Sequence, residues 1–272
     1  MDLYKSVGPK SGACNICGNI GPLTDDHVPP RGCATPRPTY LRSIVARSPR
    51  RNKNFAKGAT KAPNGTIFRT LCSRCNNELL GKHCDPDLIS MTQQVAALFE
   101  SPLYLPATSI IRIRPQRVAR SVLGHLSAIG IDRSAGGELT DALRSYLLDT
   151  NAPMPADLRL YYWGYQGQER VLVRDAGVMT LNQRGHSFFW LMKFRPLAFM
   201  AVWKGQLSAA NLRTFDAYKS STFDDVADLP FDAHPLPNEY WPELPQSHEM
   251  IMYGRDAIVA VDREPRGRPL SF

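Results

Sequence analysis

Residues 14–32 read CNICGNIGPLTDDHVPPRG, and residues 72–85 read CSRCNNELLGKHCD. Each stretch opens with a Cys-x-x-Cys pair, and 54 residues separate the two pairs. Two thiolates at this spacing chelate one ion from a single tight turn, so two such turns complete a tetrahedral site. The pattern predicts a structural zinc ion, with a redox pair or unrelated thiols as the alternatives. The predicted ligands are Cys14, Cys17, Cys72 and Cys75.

The other two cysteines, Cys33 and Cys84, are expected to be small, partly buried thiols. Four protein thiolates leave zinc no open position for substrate, so catalysis needs other residues. Zinc-bound thiols are typical of reducing compartments, and the first residues hold no apolar leader, so we expect a cytoplasmic protein. The most apolar stretch, residues 188–203, is too short and too interrupted by charge to span a membrane, and it is predicted to form buried strand.

Between the two cysteine pairs lie Asp25, Asp26 and His27, followed by VPP at residues 28–30. An imidazole titrates near pH ~6.5, so His27 suits a general base that activates water. A carboxylate oxygen suits a hard cation such as Mg²⁺ or Mn²⁺, and Asp26 is the favoured ligand. Adjacent strand residues point to opposite faces, so these two side chains share a site only where the strand bends or ends, as the prolines permit. Asp25 is the competing carboxylate.

Together with Asn76 and Asn77 after the second cysteine pair, these features resemble the HNH endonuclease family over residues 14–88. The similar branch has C-x-x-C, then D-H-x-P, then a second C-x-x-C followed by Asn-Asn. The resemblance implies a ββα-metal, treble-clef-like fold, in which a zinc-stapled hairpin carries the acidic-His pair and a helix starts at the second cysteine pair. It also implies phosphodiester hydrolysis, with His27 as general base and Asp26 and Asn76 as ligands of the catalytic cation.

The sequence departs from the literal H-N-H pattern at Asn76, where many members have His, although an amide oxygen can also ligate a hard cation. Asn77 is a candidate for the cation or for a brace at the start of the helix. His83 lies seven residues beyond Asn76, two α-helical turns along the same face, and is a candidate for contact with the cation or the scissile phosphate. Gly81 threatens to end the helix before that point. Asp85 is interpreted as a structural brace.

Positive charge is concentrated in one segment. The chain carries a net charge of +8 with a pI near 9.3, but residues 31–82 hold twelve basic residues against one acidic residue, Glu78. Clustered Lys and Arg predict sequence-independent contacts with phosphates, and hence a nucleic-acid partner, with DNA favoured. Residues 31–66 lack periodicity and are expected to form a long basic insertion loop. The residues assigned to nucleic-acid binding are Arg31, Arg50, Arg51, Lys53, Lys57 and Arg74.

A change of composition predicts two domains, a zinc-binding module over residues 1–90 and an α+β domain over residues 91–272. The second is expected to contain helices within about 115–150 and an antiparallel meander within about 158–204. It offers no recognisable catalytic motif, and it is the expected place for a protein partner or a homo-oligomer contact. Its histidines, His125 among them, have no ligand-like partner nearby in sequence and are expected to be structural or exposed.

The sequence thus predicts an α+β protein whose N-terminal module is a metal-dependent HNH-type endonuclease. The alternative is a catalytically inactive, zinc-dependent nucleic-acid-binding module, or a regulatory subunit of a larger defence-type complex. The Asp26–His27 pair favours catalysis, because binding alone would not need it. Asn76 in place of His keeps the alternative open.

Overall fold

The computed structural model describes residues 4–47, 59–101, 106–133, 136–180, 186–205, 212–233, 236, 238–244 and 249–262. Within these ranges the chain is mixed α and β, and every strand pair is antiparallel. The strands are β1 Ser11–Ala13, β2 Ile20–Pro22, β3 Thr24–His27, β4 Thr39–Ser43, β5 Thr60–Ala62, β6 Ile67–Leu71, β7 Thr108–Ile113, β8 Leu158–Gly164, β9 Arg170–Thr180, β10 His186–Phe194, β11 Leu197–Trp203, β12 Arg213–Thr214, β13 Ala227–Asp232, β14 Glu249–Tyr253 and β15 Ala257–Val261.

The four longer helices follow one another along the chain, and the first of them begins at the second cysteine pair. They are a π-helix Arg74–Lys82, α1 Asp85–Glu100, α2 Pro115–Ala128 and α3 Glu138–Leu148. Short 3-10 turns occupy Ile44–Arg47 and Asp216–Tyr218. Among the described residues, none of the helices combines the length and apolar character that crossing a membrane requires.

The largest sheet has nine strands in the order β12-β8-β11-β10-β9-β15-β4-β5, with β14 also paired to β9. Strands β9, β10 and β11 form an antiparallel meander, whereas β8 pairs with β11 at the far side of it, and β10 and β11 are largely buried. Along β9, Leu172 lies in one apolar core while Val171 and Val173 lie in the other. Side chains alternate between the faces of a strand, so this sheet is covered on both faces.

The basic insertion, residues 31–66, contains two strands of this sheet. β4 pairs with β15, with Leu41 opposite Ala260, and β5 pairs with β4. Leu41 is fully buried in the core. The segment is therefore more regular than its sequence indicates. The sequence did not show this because β15, the partner of β4, lies more than two hundred residues further along the chain, and one buried apolar residue makes no visible periodicity.

His27 lies in an antiparallel pair formed by β3 and β6, which we call the hairpin although β4 and β5 lie between its strands in the chain. The pair has a register irregularity between Thr24 and Asp25. Helix α2 packs against this hairpin and is buried along almost its whole length. The Oγ1 atom of Thr70 in β6 donates to the carbonyl of Ala128 at 2.7 Å, at the C-terminus of α2. One hydrophobic core includes Phe68 of the hairpin and Leu126 of α2, so the hairpin is supported by residues from the C-terminal part of the chain.

Candidate active site

The four cysteines of the two pairs form a group that could hold a metal ion. One Sγ atom from each lies within 4.8 Å of the others, and the Sγ atoms of Cys17 and Cys72 are 3.8 Å apart. Tetrahedral zinc with Zn–S bonds of about 2.3 Å places its sulfur ligands about 3.8 Å apart, so the group has the size that zinc requires. Among the described residues, this is the single group of His, Cys, Asp and Glu side chains with such spacing.

Local backbone bonding gives each cysteine pair its turn. In the first, the amide of Gly18 donates to the carbonyl of Cys14 at 2.8 Å, and Gly18 has a φ of +78°, which a residue without Cβ adopts at little cost. In the second, the amide of Asn76 donates to the carbonyl of Cys72 at 2.9 Å. The amide of Asn15 donates to the carbonyl of Thr70, so the first turn is held against β6.

His27 ends β3 with its side chain fixed from two sides. The Nε atom of Arg31 donates to Nδ1 of His27 at 3.2 Å, and the ring is also hydrogen-bonded to the backbone of Asn64. Burial and the neighbouring Arg31 lower the pKa of His27 below its ordinary value, and only 8% of the residue is exposed. The imidazole is therefore neutral near pH ~7, with Nδ1 as the hydrogen-bond acceptor.

Asp26 has a different environment from His27. Its Oδ2 atom lies 3.0 Å from Nδ1 of His125, and the residue is 2% exposed. The structure does not bring its carboxylate to the same partners as the His27 ring, as expected for adjacent residues of a regular strand. Asp25 forms an ion pair with Arg69 at 2.7 Å, and its side chain is 45% exposed. Each carboxylate thus already has a basic partner.

His125 lies between two buried carboxylates, and sequence reasoning missed this role. Its Nε2 atom is 2.9 Å from Oδ1 of Asp85, which also accepts a hydrogen bond from Ser121 at 2.7 Å. Burial alone would lower the pKa of His125, but Asp26 and Asp85 outweigh it and raise the pKa to about 10. His125 is therefore an imidazolium at neutral pH, and both ring nitrogens donate. Asp85 acts as the brace that the sequence indicated.

The pKa values of Asp26 and Asp85 are shifted in opposite directions. Burial raises the pKa of Asp26, an effect that His125 partly offsets. Burial also opposes ionisation of Asp85, but His125 and the hydroxyl of Ser121 lower the pKa of Asp85 overall. Asp26 therefore depends on His125 to remain a carboxylate in a site that excludes water.

Asn76 braces the hairpin with its amide nitrogen. Its Nδ2 atom donates to Oγ1 of Thr24 at 2.9 Å and to the carbonyl of Asp25 at 3.1 Å, across the irregularity in β3. Asn77 instead donates to Oγ of Ser73 at 3.0 Å, as expected of a brace at the start of a helix. The cation ligands predicted from sequence are thus available only through Oδ1 of Asp26 and Oδ1 of Asn76. These oxygens fit a hard cation by type, whereas the burial of Asp26 leaves little access to solvent.

His83 is exposed at the C-terminus of the π-helix, and its carbonyl accepts a hydrogen bond from Arg117 at 3.3 Å. A π-helix has more residues per turn than an α-helix, so an interval of seven residues does not return to the same face. The side chain of Asn76 is buried against the hairpin, whereas His83 points to solvent. The structure does not place His83 on the face of Asn76.

The basic residues assigned to nucleic-acid binding are only partly described. Arg31 is exposed and contacts His27, and Arg74 is exposed at the first position of the π-helix. Four others lie outside the described residues, namely Arg50, Arg51, Lys53 and Lys57. The arrangement therefore places one guanidinium directly beside the candidate base.

Comparisons with protein-family models, with curated proteins and with solved structures found no match to this chain. The resemblance to HNH endonucleases accordingly depends on the spacing and identity of the residues in the two cysteine-containing stretches.

Proposed function

We propose that this chain is a metal-dependent endonuclease of the HNH type that hydrolyses phosphodiester bonds of nucleic acid, with DNA the favoured substrate. The observation that carries the proposal is the state of His27, a neutral imidazole held by Arg31 at one end of β3, a strand whose other end pairs with Leu71, next to Cys72 of the four-cysteine group. A general base must be unprotonated at working pH and held in one orientation, and His27 meets both requirements.

His27 takes a proton from water through Nδ1. In the free protein this nitrogen is occupied by Nε of Arg31. A guanidinium binds a phosphate more strongly than a neutral imidazole, because both partners are charged and two parallel hydrogen bonds can form. An incoming phosphate would draw Arg31 away from His27 and leave Nδ1 open to the attacking water. Arg31 thus binds the phosphate, and Nδ1 becomes available as a base only when the phosphate is bound.

Two metal ions belong to the proposal. Zinc on Cys14, Cys17, Cys72 and Cys75 would be structural, because four thiolates leave no open position. Mg²⁺ or Mn²⁺ would be held by Asp26 and Asn76, and when bound it would neutralise charge that develops on the phosphate. The chain itself holds Asp26 in place through His125, and it holds the amide of Asn76 through Thr24 and Asp25.

The substrate class is supported by charge. Arg31 follows β3 and Arg74 follows β6, and both are exposed in a segment with twelve basic residues and one acidic residue. Contacts of this kind bind phosphates without reading bases, so cleavage is expected to show little sequence preference.

The second candidate function is a nucleic-acid-binding module or regulatory subunit without catalysis. It is favoured by the burial of Asp26, whose Oδ2 atom is occupied by His125 and which is 2% exposed. A protein partner or a second copy would then bind the C-terminal part of the chain. Methionines and an aromatic residue exposed there, Met179, Phe188, Met250 and Met252, are suited to such a contact.

One assay separates the two functions. Zinc-loaded wild-type protein is incubated with supercoiled plasmid, single-stranded DNA and RNA, with Mg²⁺, with Mn²⁺ and without added divalent cation. Nicking or linearisation that requires the added cation supports the nuclease and identifies its substrate. Retention of nucleic acid in a gel-shift assay with no cleavage under any condition supports the binding module instead.

A further inference from the structure

A cleft of about 390 Å³ opens on the outer face of the β3–β6 hairpin. It is bounded by the N-terminal residues 4–7, by residues 60–65 around β5, and by the outward side chains of β3 and β6. Its lining includes the charged residues Lys5, Asp25, Lys61 and Arg69 and the polar residues Ser6, Thr60 and Asn64. None of these was assigned to nucleic-acid binding from the sequence.

The cleft begins where the ring of His27 is anchored. Asn64, whose backbone is hydrogen-bonded to that ring, is one of its lining residues, and so is Ile67, which pairs with His27 in the register of β3 and β6. Asp25 lines the cleft as well and lies two positions before His27 in β3, on the same face of the strand. A ligand in the cleft would therefore contact residues that neighbour the candidate base.

The charges of the cleft favour an anion. Lys5 and Lys61 are exposed, and neither has an ion-pair partner among the residues that the structure describes. The acidic lining residue, Asp25, is already neutralised by Arg69. Two lysines with unsatisfied charge at the rim of a concave site raise the local concentration of phosphates.

The size and the lining of the cleft favour single-stranded over duplex nucleic acid. Its volume lies in the range of small-ligand sites, about 300–1,000 Å³, which accommodates a nucleotide but not a base-paired duplex. Val7 and Ile67 contribute apolar surface, and Ser6 and Asn64 contribute hydrogen-bonding groups. Apolar surface with a few polar groups suits the face and edge of an unstacked base.

We propose that this cleft binds one unpaired nucleotide of the strand that His27 attacks, with Lys5 and Lys61 at the flanking phosphates. The inference rests on the proposed nuclease function and adds to it that the preferred substrate is single-stranded or locally opened at the site of cleavage. Discrimination would come from exclusion of the paired base, because the lysines themselves read no sequence.

Binding is measured separately from cleavage. All proteins carry His27→Ala, no divalent cation is added, and zinc content is verified. Fluorescence anisotropy follows the binding of a labelled single strand of about twelve nucleotides and of the corresponding blunt duplex. Lys61→Glu reverses a charge in the cleft, and Lys10→Glu makes the same change at an exposed lysine outside it.

We expect Lys61→Glu to weaken single-strand binding about tenfold and duplex binding less than about twofold, whereas Lys10→Glu changes both less than about twofold. Equal losses for the two variants, equal effects on single strand and duplex, or the absence of single-strand binding would each overturn the inference. Cleavage by the protein with native His27 is scored in the plasmid assay, so a failed nuclease proposal is distinguished from a failed cleft.

Discussion

The imidazole of His125 bridges Asp26 and Asp85, with Nδ1 3.0 Å from Oδ2 of Asp26 and Nε2 2.9 Å from Oδ1 of Asp85. This bridge joins three elements, because Asp26 lies in β3, Asp85 begins α1 and His125 lies in α2. The strand that carries His27 is therefore held in place by the imidazolium side chain of His125, a residue from the C-terminal part of the chain.

Replacement of His125 by alanine is expected to destabilise the protein by about 3–5 kcal/mol, because it leaves two buried carboxylates without their cation. The free energy of unfolding is measured by urea titration near neutral pH. His186→Ala, at an exposed histidine of β10, is the matched control and should change stability by less than about 0.5 kcal/mol. Equal stability of the two variants would show that the bridge contributes nothing.

The same bridge predicts how stability depends on pH. The pKa of His125 is about 10 in the folded protein, against about 6.5 when unfolded, so its contribution is fully present below about pH 6.5 and is lost as pH rises through about 10. Between these limits the folded protein binds one more proton, and stability should fall by up to about 1.4 kcal/mol per pH unit.

Urea titrations across this range, without added divalent cation, test the slope. His125→Gln cannot carry the proton, so its profile between about pH 6.5 and 10 should be flatter than that of the wild type. Parallel profiles for the two proteins would mean that His125 is not protonated in the folded state.

Arg31 is expected to control the protonation of His27. Its positive charge is one of the causes that lower the pKa of His27, so Arg31→Gln should raise that pKa. The pKa is measured by NMR titration of the His27 ring, with Arg37→Gln, at another exposed arginine, as the control. An unchanged pKa in Arg31→Gln would remove Arg31 from the account of the base.

Loss of one ligand should empty the four-cysteine site. Cys75→Ser is expected to reduce bound zinc from one ion per chain to near zero and to lower the melting temperature, because the ion holds the first turn to the start of the π-helix. Metal content is measured by mass spectrometry on the purified protein. Cys33→Ser, which changes a buried thiol outside the group, should keep its zinc, and a metal-free wild type would contradict the assignment.

Local sequence patterns were sufficient for the metal group and for much of the fold. The four cysteines are two short-range pairs, and the meander β9 to β11 consists of consecutive strands joined by short connections. Both are visible within a few residues of sequence, since ligand spacing and strand alternation are local properties.

Long-range contacts explain what the sequence did not reveal. His125 is 99 residues from Asp26, and nothing in the helical pattern of α2 distinguishes a histidine that faces a carboxylate from one that faces solvent. The sequence did not predict strand β4 for the same reason, because its partner β15 is far away in the chain. The π-helix changes the face on which His83 lies, and helix type is not encoded in residue spacing alone.

Single-turnover cleavage by the wild type and by His27→Ala tests the central claim most directly. Both proteins are first matched for zinc content, for stability and for binding to the same single-stranded substrate, and the reaction is started with Mg²⁺ or Mn²⁺. A general base contributes about 10²- to 10⁴-fold to the rate, so His27→Ala should cleave at least about a hundredfold more slowly while binding equally well. Equal cleavage rates for the two proteins, or no cleavage by the wild type, would contradict the assignment of His27 as the base of a nuclease.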